Sequence, residues 1–247
     1  KVFGDAGNRV VIEEYMVGEE TSYIAFTDGK VILPMASSQD HKPIFDGDQG
    51  PNTGGMGSYS PSRFLDKKAI DRAVKTVVEP VVKAMAQEGK PYKGVLYAGL
   101  MLTAEGPKVL EFNARFGDPE TQVQLPLLKS DLVDIMLSVI DGKLAMTRVG
   151  WNNGACVGVV MASGGYPGSY RQGFPIAGLD RVDRDIVVFH AGTKTDDRKV
   201  LTAGGRVLTV VATGKTVAEA REKVYLNLPN IRFDNCHYRK DIAAEEE

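Results

Sequence analysis

This chain predicts an α+β fold of antiparallel sheets with helices against them, and three observations carry that expectation. First, strand-like runs are joined by short glycine turns. Asp28-Gly29 stands between runs at 21–27 and 31–37, and Glu105-Gly106 between the apolar run 94–103 and the run that follows from Lys108. Second, helical spacing of apolar residues recurs over 66–89, 131–140 and about 217–228. Third, strands at 155–162, 186–193 and 206–212, separated by glycine-rich turns and followed by one helix, read as a second, small α+β unit. The expected division is 1–148 and 149–247, with the weakly patterned 142–154 as boundary.

Size and composition agree with an ordinary globular chain: 247 residues, 43% hydrophobic, 25% charged, formal net charge -2. That balance leaves no basic footprint for nucleic acid. No apolar run approaches the roughly 20 residues of a membrane span, and no signal peptide is visible. Cys156 and Cys236 stand far apart, outside any zinc or disulfide spacing, and read as buried thiols. A cytoplasmic setting is expected. The start at Lys1, without Met and close to a strand pattern, predicts a piece of a longer protein.

In chain order, 8–14 (N-R-V-V-I-E-E) predicts a short buried strand ending in acids. Glu13, Glu14, Glu19 and Glu20 are either solvated hairpin ends or part of a nucleotide site, where backbone groups read adenine and a carboxylate takes ribose hydroxyls. About two dozen residues, 38–61, show almost no periodicity yet carry Asp40, His41, Lys42, Asp46, Asp48 and Gly54-Gly55-Met56-Gly57. A loop of that length inside a domain favours a substrate-binding role, and its glycines let backbone approach an anion. It is no P-loop, because no Gly-Lys-Ser/Thr follows. The helix from Asp66 should break or kink at Pro80 and stop at Gly89. Thr216 is the expected N-cap of the last helix. His190 and His237 read as structural.

The stretch 108–122, K-V-L-E-F-N-A-R-F-G-D-P-E-T-Q, carries the densest chemistry. A period of two puts Glu111, Asn113 and Arg115 on one face, roughly 7 Å apart in sequence along the strand, and Phe112, Ala114 and Phe116 on a packing face. Glu and Asn oxygens suit Mg²⁺ that is also held by phosphates, and Arg115 could clamp a phosphate or carboxylate. An amphipathic edge strand with a cross-strand ion pair is the other reading. Gly117 and Asp118-Pro119 end the strand, and Pro119-Glu120-Thr121-Gln122 opens a helix.

Taken together, V-V-I-E-E-Y-M-V-G-E-E (10–20), S-S-Q-D-H-K (37–42), G-P-N-T-G-G-M-G-S-Y-S-P (50–61), L-Y-A-G-L-M (96–101) and E-F-N-A-R-F-G-D-P-E-T-Q (111–122) resemble the phosphoribosylamine–glycine ligases. The resemblance continues through G-V-V-M-A-S-G-G-Y-P-G (158–168), G-G-R-V-L (204–208) and R-K-D-I (239–242). It implies the C-terminal part of an ATP-grasp domain followed by a small C-terminal α+β domain. It also implies ATP-driven joining of glycine to 5-phosphoribosylamine through glycyl phosphate, in purine biosynthesis.

By that resemblance, Glu111 and Asn113 are Mg²⁺ or Mn²⁺ ligands, and the backbones of Glu14 and Met16 hold adenine with Glu20 at the ribose. Asp40, His41, Lys42 and the Gly54, Gly55, Met56 turn lie where substrate and reacting phosphate sit. Lys42, Arg115 and Asp40 are the catalytic residues, the two cations offsetting the charge that develops, and Arg115, Asp118 and Glu120 stand near glycine or the transferring phosphoryl group. Family members carry a further N-terminal portion, so this chain is expected to hold an incomplete site. Another ATP-grasp ligase or carboxylase, or a non-catalytic nucleotide-binding module, are the alternatives.

Overall fold

The structure, a computed structural model, describes residues 4–63 and 67–244. Residues 9–17 form no strand, and Val10, Val11, Ile12 and Tyr15 lie open to solvent, Ile12 at 91%. The strand expected at 8–14 is therefore absent. A strand needs a neighbour for its backbone groups, and no described strand pairs with this one.

β1 (Glu19–Thr27) and β2 (Ile32–Pro34) form the expected hairpin. Gly29 takes φ +89° in its turn, and Asp28 Oδ1 accepts from Lys30 N and Val31 N at 3.0 and 2.8 Å. Pro34, lacking an N–H, ends β2 earlier than the 31–37 run suggested. The 38–61 stretch is not a plain loop. It contains β3 (Gln39–Asp40), β4 (Pro43–Phe45), β5 (Gln49–Asn52) and β6 (Gly57–Ser60). Strands this short carry no readable period.

α1 (Lys67–Ala73) and α2 (Glu79–Gln87) are joined by a π turn at Val74–Val78, just ahead of Pro80, where a break was expected. Asp66, the expected start, lies outside the described residues. β7 (Gly94–Thr103) pairs with β8 (Gly106–Asn113), giving a four-stranded sheet ordered β2-β1-β7-β8. β8 is an edge strand with a bulge opposite Gly99 and Leu100. Phe112, expected to pack, is 39% exposed for that reason. α3 (Glu120–Gln124) is short, and α4 (Leu132–Asp141) is capped by Asp131, whose Oδ1 accepts from Val133 N at 2.7 Å.

The second half supplies β9 (Ala155–Ser163), β10 (Ile186–His190), β11 (Thr193–Asp196), β12 (Lys199–Thr202), β13 (Arg206–Gly214), α5 (Val217–Asn227) and β14 (Cys236–His237). The run expected to continue to Thr193 stops at His190. There the chain turns at Gly192, which packs against Gly204, into the β11–β12 hairpin. Thr216 caps α5 as expected, accepting from Glu219 N at 3.2 Å.

The large sheet runs β10-β13-β9-β6-β3, with β14 also on β9. β3 and β6 precede residue 148 and the others follow it, so one sheet joins strands from both halves. One core lies between the four-stranded sheet and α1–α2 (Tyr23, Val78, Leu96, Leu100), another between the large sheet and α5 (Val159, Leu208, Val210, Val224). Each such side chain contributes about 1.5–3 kcal/mol on burial. Residues 38–40 link the sheets: Ser38 bridges Ser22 of β1, and Gln39 and Asp40 pair with β6. His237 Nε2 meets Ile44 O at 2.8 Å and His190 Nδ1 meets Thr193 Oγ1 at 3.1 Å.

Candidate active site

Strand register brings the site together. Ser22 of β1 stands opposite Gly99 of β7, Gly99 opposite Glu111 of β8, and Tyr97 opposite Asn113. Residues two apart share a face, so Glu20, Ser22, Tyr97, Glu111 and Asn113 project from one side of the four-stranded sheet. Glu111 lies across Gly99, where an added Cβ would meet its Cγ at 3.3 Å. Asn113 Nδ2 donates to Glu111 Oε1 at 2.8 Å, and Arg115 Nη2 donates to Asn113 Oδ1 at 3.3 Å. The three side chains thus stand in line although β8 ends at Asn113. Two adjacent hard oxygen donors on an open edge fit a divalent cation. As a ligand Asn113 would turn its amide over, since its oxygen here faces Arg115.

Glu120 caps the same face. It is 1% exposed, and its Oε1 accepts from Ser22 Oγ at 2.8 Å and Tyr97 OH at 2.5 Å. Hydroxyl donors stabilise a buried carboxylate that has little water. Burial and this carboxylate push the Tyr97 hydroxyl far up, so it stays a donor. Gly117 leaves room: an added Cβ would lie 2.6 Å from Glu120 Oε2.

From the large sheet, β3 presents Asp40, followed by His41 and Lys42. With Glu20 and Asp48 they line a cleft of about 210 Å³. Lys42 Nζ pairs with Glu20 Oε1. Burial works against the Lys42 charge, but Glu20, Asp40 and Glu120 together raise its pKa above the ordinary lysine value. Burial, reinforced by the Glu120 carboxylate, pushes Asp40 well above the usual carboxylate range. His41 Nδ1 lies 3.9 Å from Asp48 Oδ1.

The folded state binds the Asp40 proton more tightly than the unfolded chain does. Its contribution to stability is therefore full below about pH 4 and is lost as pH rises through the folded value. At neutral pH this carboxyl costs stability. Asp40→Asn is expected to raise Tm at pH 8 by roughly 2–4 °C, and by less at pH 4. Thermal unfolding at the two pH values checks this, and a lower Tm at pH 8 contradicts it.

Glu14 and Met16 stand elsewhere. They line a hollow of about 290 Å³ with Thr103, Glu105 and Lys108, and Lys108 Nζ bonds Glu14 Oε1 at 2.9 Å and Glu105 Oε2 at 3.1 Å. The Gly54, Gly55 and Met56 amides are not free. Gly54 N bonds the Tyr166 hydroxyl at 3.0 Å, Gly55 N bonds Thr53 Oγ1 at 2.9 Å, and Met56 N bonds His41 O at 2.8 Å. The glycines of this turn answer to close packing, as at Gly55, which has φ +111° and sits 2.7 Å from Asp40 Oδ1 as measured to an added Cβ. Asp118 accepts from Arg206 Nη2 and Gln122 Nε2, each at 2.8 Å.

Sequence reading missed Ser22, Tyr97, Arg206 and Arg239. A signal existed for the first two, since each is a polar residue inside an apolar strand. For the arginines local pattern carries none, because their partners lie up to 196 positions away.

Residues 1–121 match the ATP-grasp (A) domain of phosphoribosylglycinamide synthetase, and residues 156–245 match the C domain of the same synthetase. The chain belongs to the phosphoribosylglycinamide synthetase family. A phosphoribosylamine–glycine ligase of Halalkalibacterium halodurans is 52% identical over 98% of this chain, which spans 56% of that relative. The crystal structure of phosphoribosylamine–glycine ligase from Thermotoga maritima superposes with TM-score 0.85 at 36% identity, covering 94% of this chain and 57% of that one. The biotin carboxylase domain of a thermophilic 2-oxoglutarate carboxylase, bound to bicarbonate, superposes with TM-score 0.63 at 12% identity over 89% of this chain, a likeness of fold alone. The chain thus spans about half the length of the curated relatives it matches. No helix among its described residues is long and apolar enough to cross a membrane.

Proposed function

We propose that this chain supplies the cation strand and acceptor-substrate side of an ATP-dependent phosphoribosylamine–glycine ligase. The reaction joins glycine to 5-phosphoribosylamine, giving glycinamide ribonucleotide, ADP and phosphate through glycyl phosphate. The observation that carries the reading is the single sheet face holding Glu20, Glu111 and Asn113 with Glu120 above it, in a chain of this family.

Glu111 and Asn113 would hold Mg²⁺ or Mn²⁺, which when bound neutralises phosphate oxygens and lowers the barrier to carboxylate attack. The protein's own groups do the rest. Lys42 and Arg115 bring positive charge to where a carboxylate meets a polyphosphate. Asp40, beside Lys42, joins the catalytic group, and His41, Asp118 and Glu120 face the amine-bearing substrates. The backbones of Glu14 and Met16 read adenine, and Glu20 exchanges Lys42 for the ribose hydroxyls. Val10, Val11, Ile12, Tyr15 and Val17, open here, become covered by the remainder of the ligase, which completes the nucleotide site. We place the enzyme in the cytoplasm, where the free thiols of Cys156 and Cys236 persist.

Calorimetry with Mg-ATP and with glycinamide ribonucleotide, beside a glycine-dependent ADP-release assay, tests the reading. Metal-dependent ATP binding is expected from this chain, and turnover from a polypeptide of the relatives' full length. If that longer polypeptide binds nucleotide but releases no ADP with glycine and phosphoribosylamine, the ligase reading fails and a binding module replaces it.

A further inference from the structure

Two sequence patterns of the second half, Gly164-Gly165-Tyr166-Pro167 and Gly204-Gly205-Arg206, lie outside the cation strand and the cleft. In the fold they converge on the backbone of one residue of the first half. The Gly54 N–H donates to the Tyr166 hydroxyl at 3.0 Å, and the Gly54 carbonyl accepts from Arg206 Nη1 at 2.7 Å. The same guanidinium donates to Asp118 O at 2.9 Å and Asp118 Oδ2 at 2.8 Å. Gly54 is bare because an added Cβ would meet Arg206 Cζ at 3.1 Å, and Gly205 is bare because the Tyr166 ring lies on it.

We infer that Arg206, assisted by Tyr166, is a positioning residue for the ligase chemistry: it latches the Gly54–Gly55 turn to the Asp118–Glu120 turn and thereby sets Asp40 against Glu120. The inference rests on the functional reading above and deepens it. A guanidinium presents several donors in one plane, so it can satisfy a carbonyl and a carboxylate together, whereas an ammonium is a single point. The Arg206 side chain is only 22% exposed, which limits screening by water. The Gly55 and Met56 amides bond within their own segment, to Thr53 and His41, and so cannot tie this turn to the other. Gly55 is wedged between Asp40 and Pro119, where an added Cβ would clash with both, so a shift of either turn moves the two acids relative to each other.

Two measurements on Arg206→Met test this. In the present chain, hydrogen exchange at the Gly54–Gly57 amides should quicken at least about 10-fold while the β9 and β13 amides keep their protection. In the full-length ligase, kcat should fall about 100-fold, as for a misplacement of about 1 Å. The KM for ATP should stay within about twofold, and Arg206→Lys should recover only part of kcat. Unchanged exchange at the turn overturns the inference. So does an equal loss of protection through β9 and β13, which marks a general structural role, or a kcat within about twofold of the parent. If the parent enzyme shows no ligase turnover, the functional reading falls, and the exchange data still judge the latch by themselves.

Discussion

Replacing Glu111 with alanine in a polypeptide of the relatives' full length is expected to cut the proposed ligase turnover by at least about 100-fold while leaving the fold intact. Groups that merely support a metal ligand already contribute roughly 10–100-fold, and a ligand itself should exceed them. The fold is spared because Glu111 is exposed on an edge strand, and its hydrogen bond from Asn113 at 2.8 Å is a surface bond. Substitutions of that kind usually fall within about 0.5 kcal/mol. Activity titrated against Mg²⁺ and Mn²⁺, with Tm measured in parallel, checks both halves of the statement. Glu111→Ala and Asn113→Ala together should cost less than the product of the single effects, because either one alone dismantles the same cation site. A Glu111→Ala enzyme with near-normal turnover and unchanged metal dependence would remove Glu111 from the mechanism.

The largest loss of stability is expected from Arg239→Met. Arg239 is 1% exposed and gathers Asp48 Oδ1 at 2.8 Å, Asp241 Oδ1 and Oδ2 at 2.8 and 2.7 Å, and Pro43 O at 3.0 Å. It fastens the β4–β5 hairpin to the C-terminal segment, where Asp241 also takes Gly47 N at 2.7 Å and Lys240 N reaches Asp46 at 2.8 Å. Removing one member of a buried ionic group costs about 3–5 kcal/mol. The lower end applies, since Asp48 is 57% and Asp241 28% exposed and water can receive the stranded carboxylates.

A pH dependence accompanies this loss. His41 and Arg239 hold the Asp48 carboxyl well below the usual range, and Arg239 with the Gly47 amide outweighs burial to lower Asp241 as well. Folded pKa values below the unfolded ones mean stabilisation that is present above about pH 4 and drains as pH falls through the folded values. Denaturant unfolding of the parent chain should therefore steepen in its pH dependence below about pH 4, and Arg239→Met should flatten that slope. Equal slopes in both proteins would show that the network does not carry the acid sensitivity.

Much of the ladder was legible in the chain. β7 appears at the bounds its apolar run indicated, the Glu105-Gly106 turn pairs it with β8, Asp131 and Thr216 cap their helices, and the helical rod loosens into a π turn just ahead of Pro80. These features are decided within a few residues by turn chemistry, capping and period. The 8–14 run misled because its apolar residues describe a strand that needs a partner. Phe112 misled because alternation names two faces without saying that one edge stays open. The 38–61 segment hid four short strands, since pairing with β9 and closing on Arg239 are events of the whole fold.

By itself the sequence determined the chemical inventory: which stretches pair or coil, and that a carboxylate, an amide and a guanidinium alternate along 111–115. Only the tertiary structure decided that Glu120 sits under the hydroxyls of Ser22 and Tyr97, that Lys42 meets Glu20, and that Arg206 and Arg239 reach back into the first half. The reason is that strand register and sheet order arise from pairings made across many positions. A local period says which way a side chain points and leaves open what it will face.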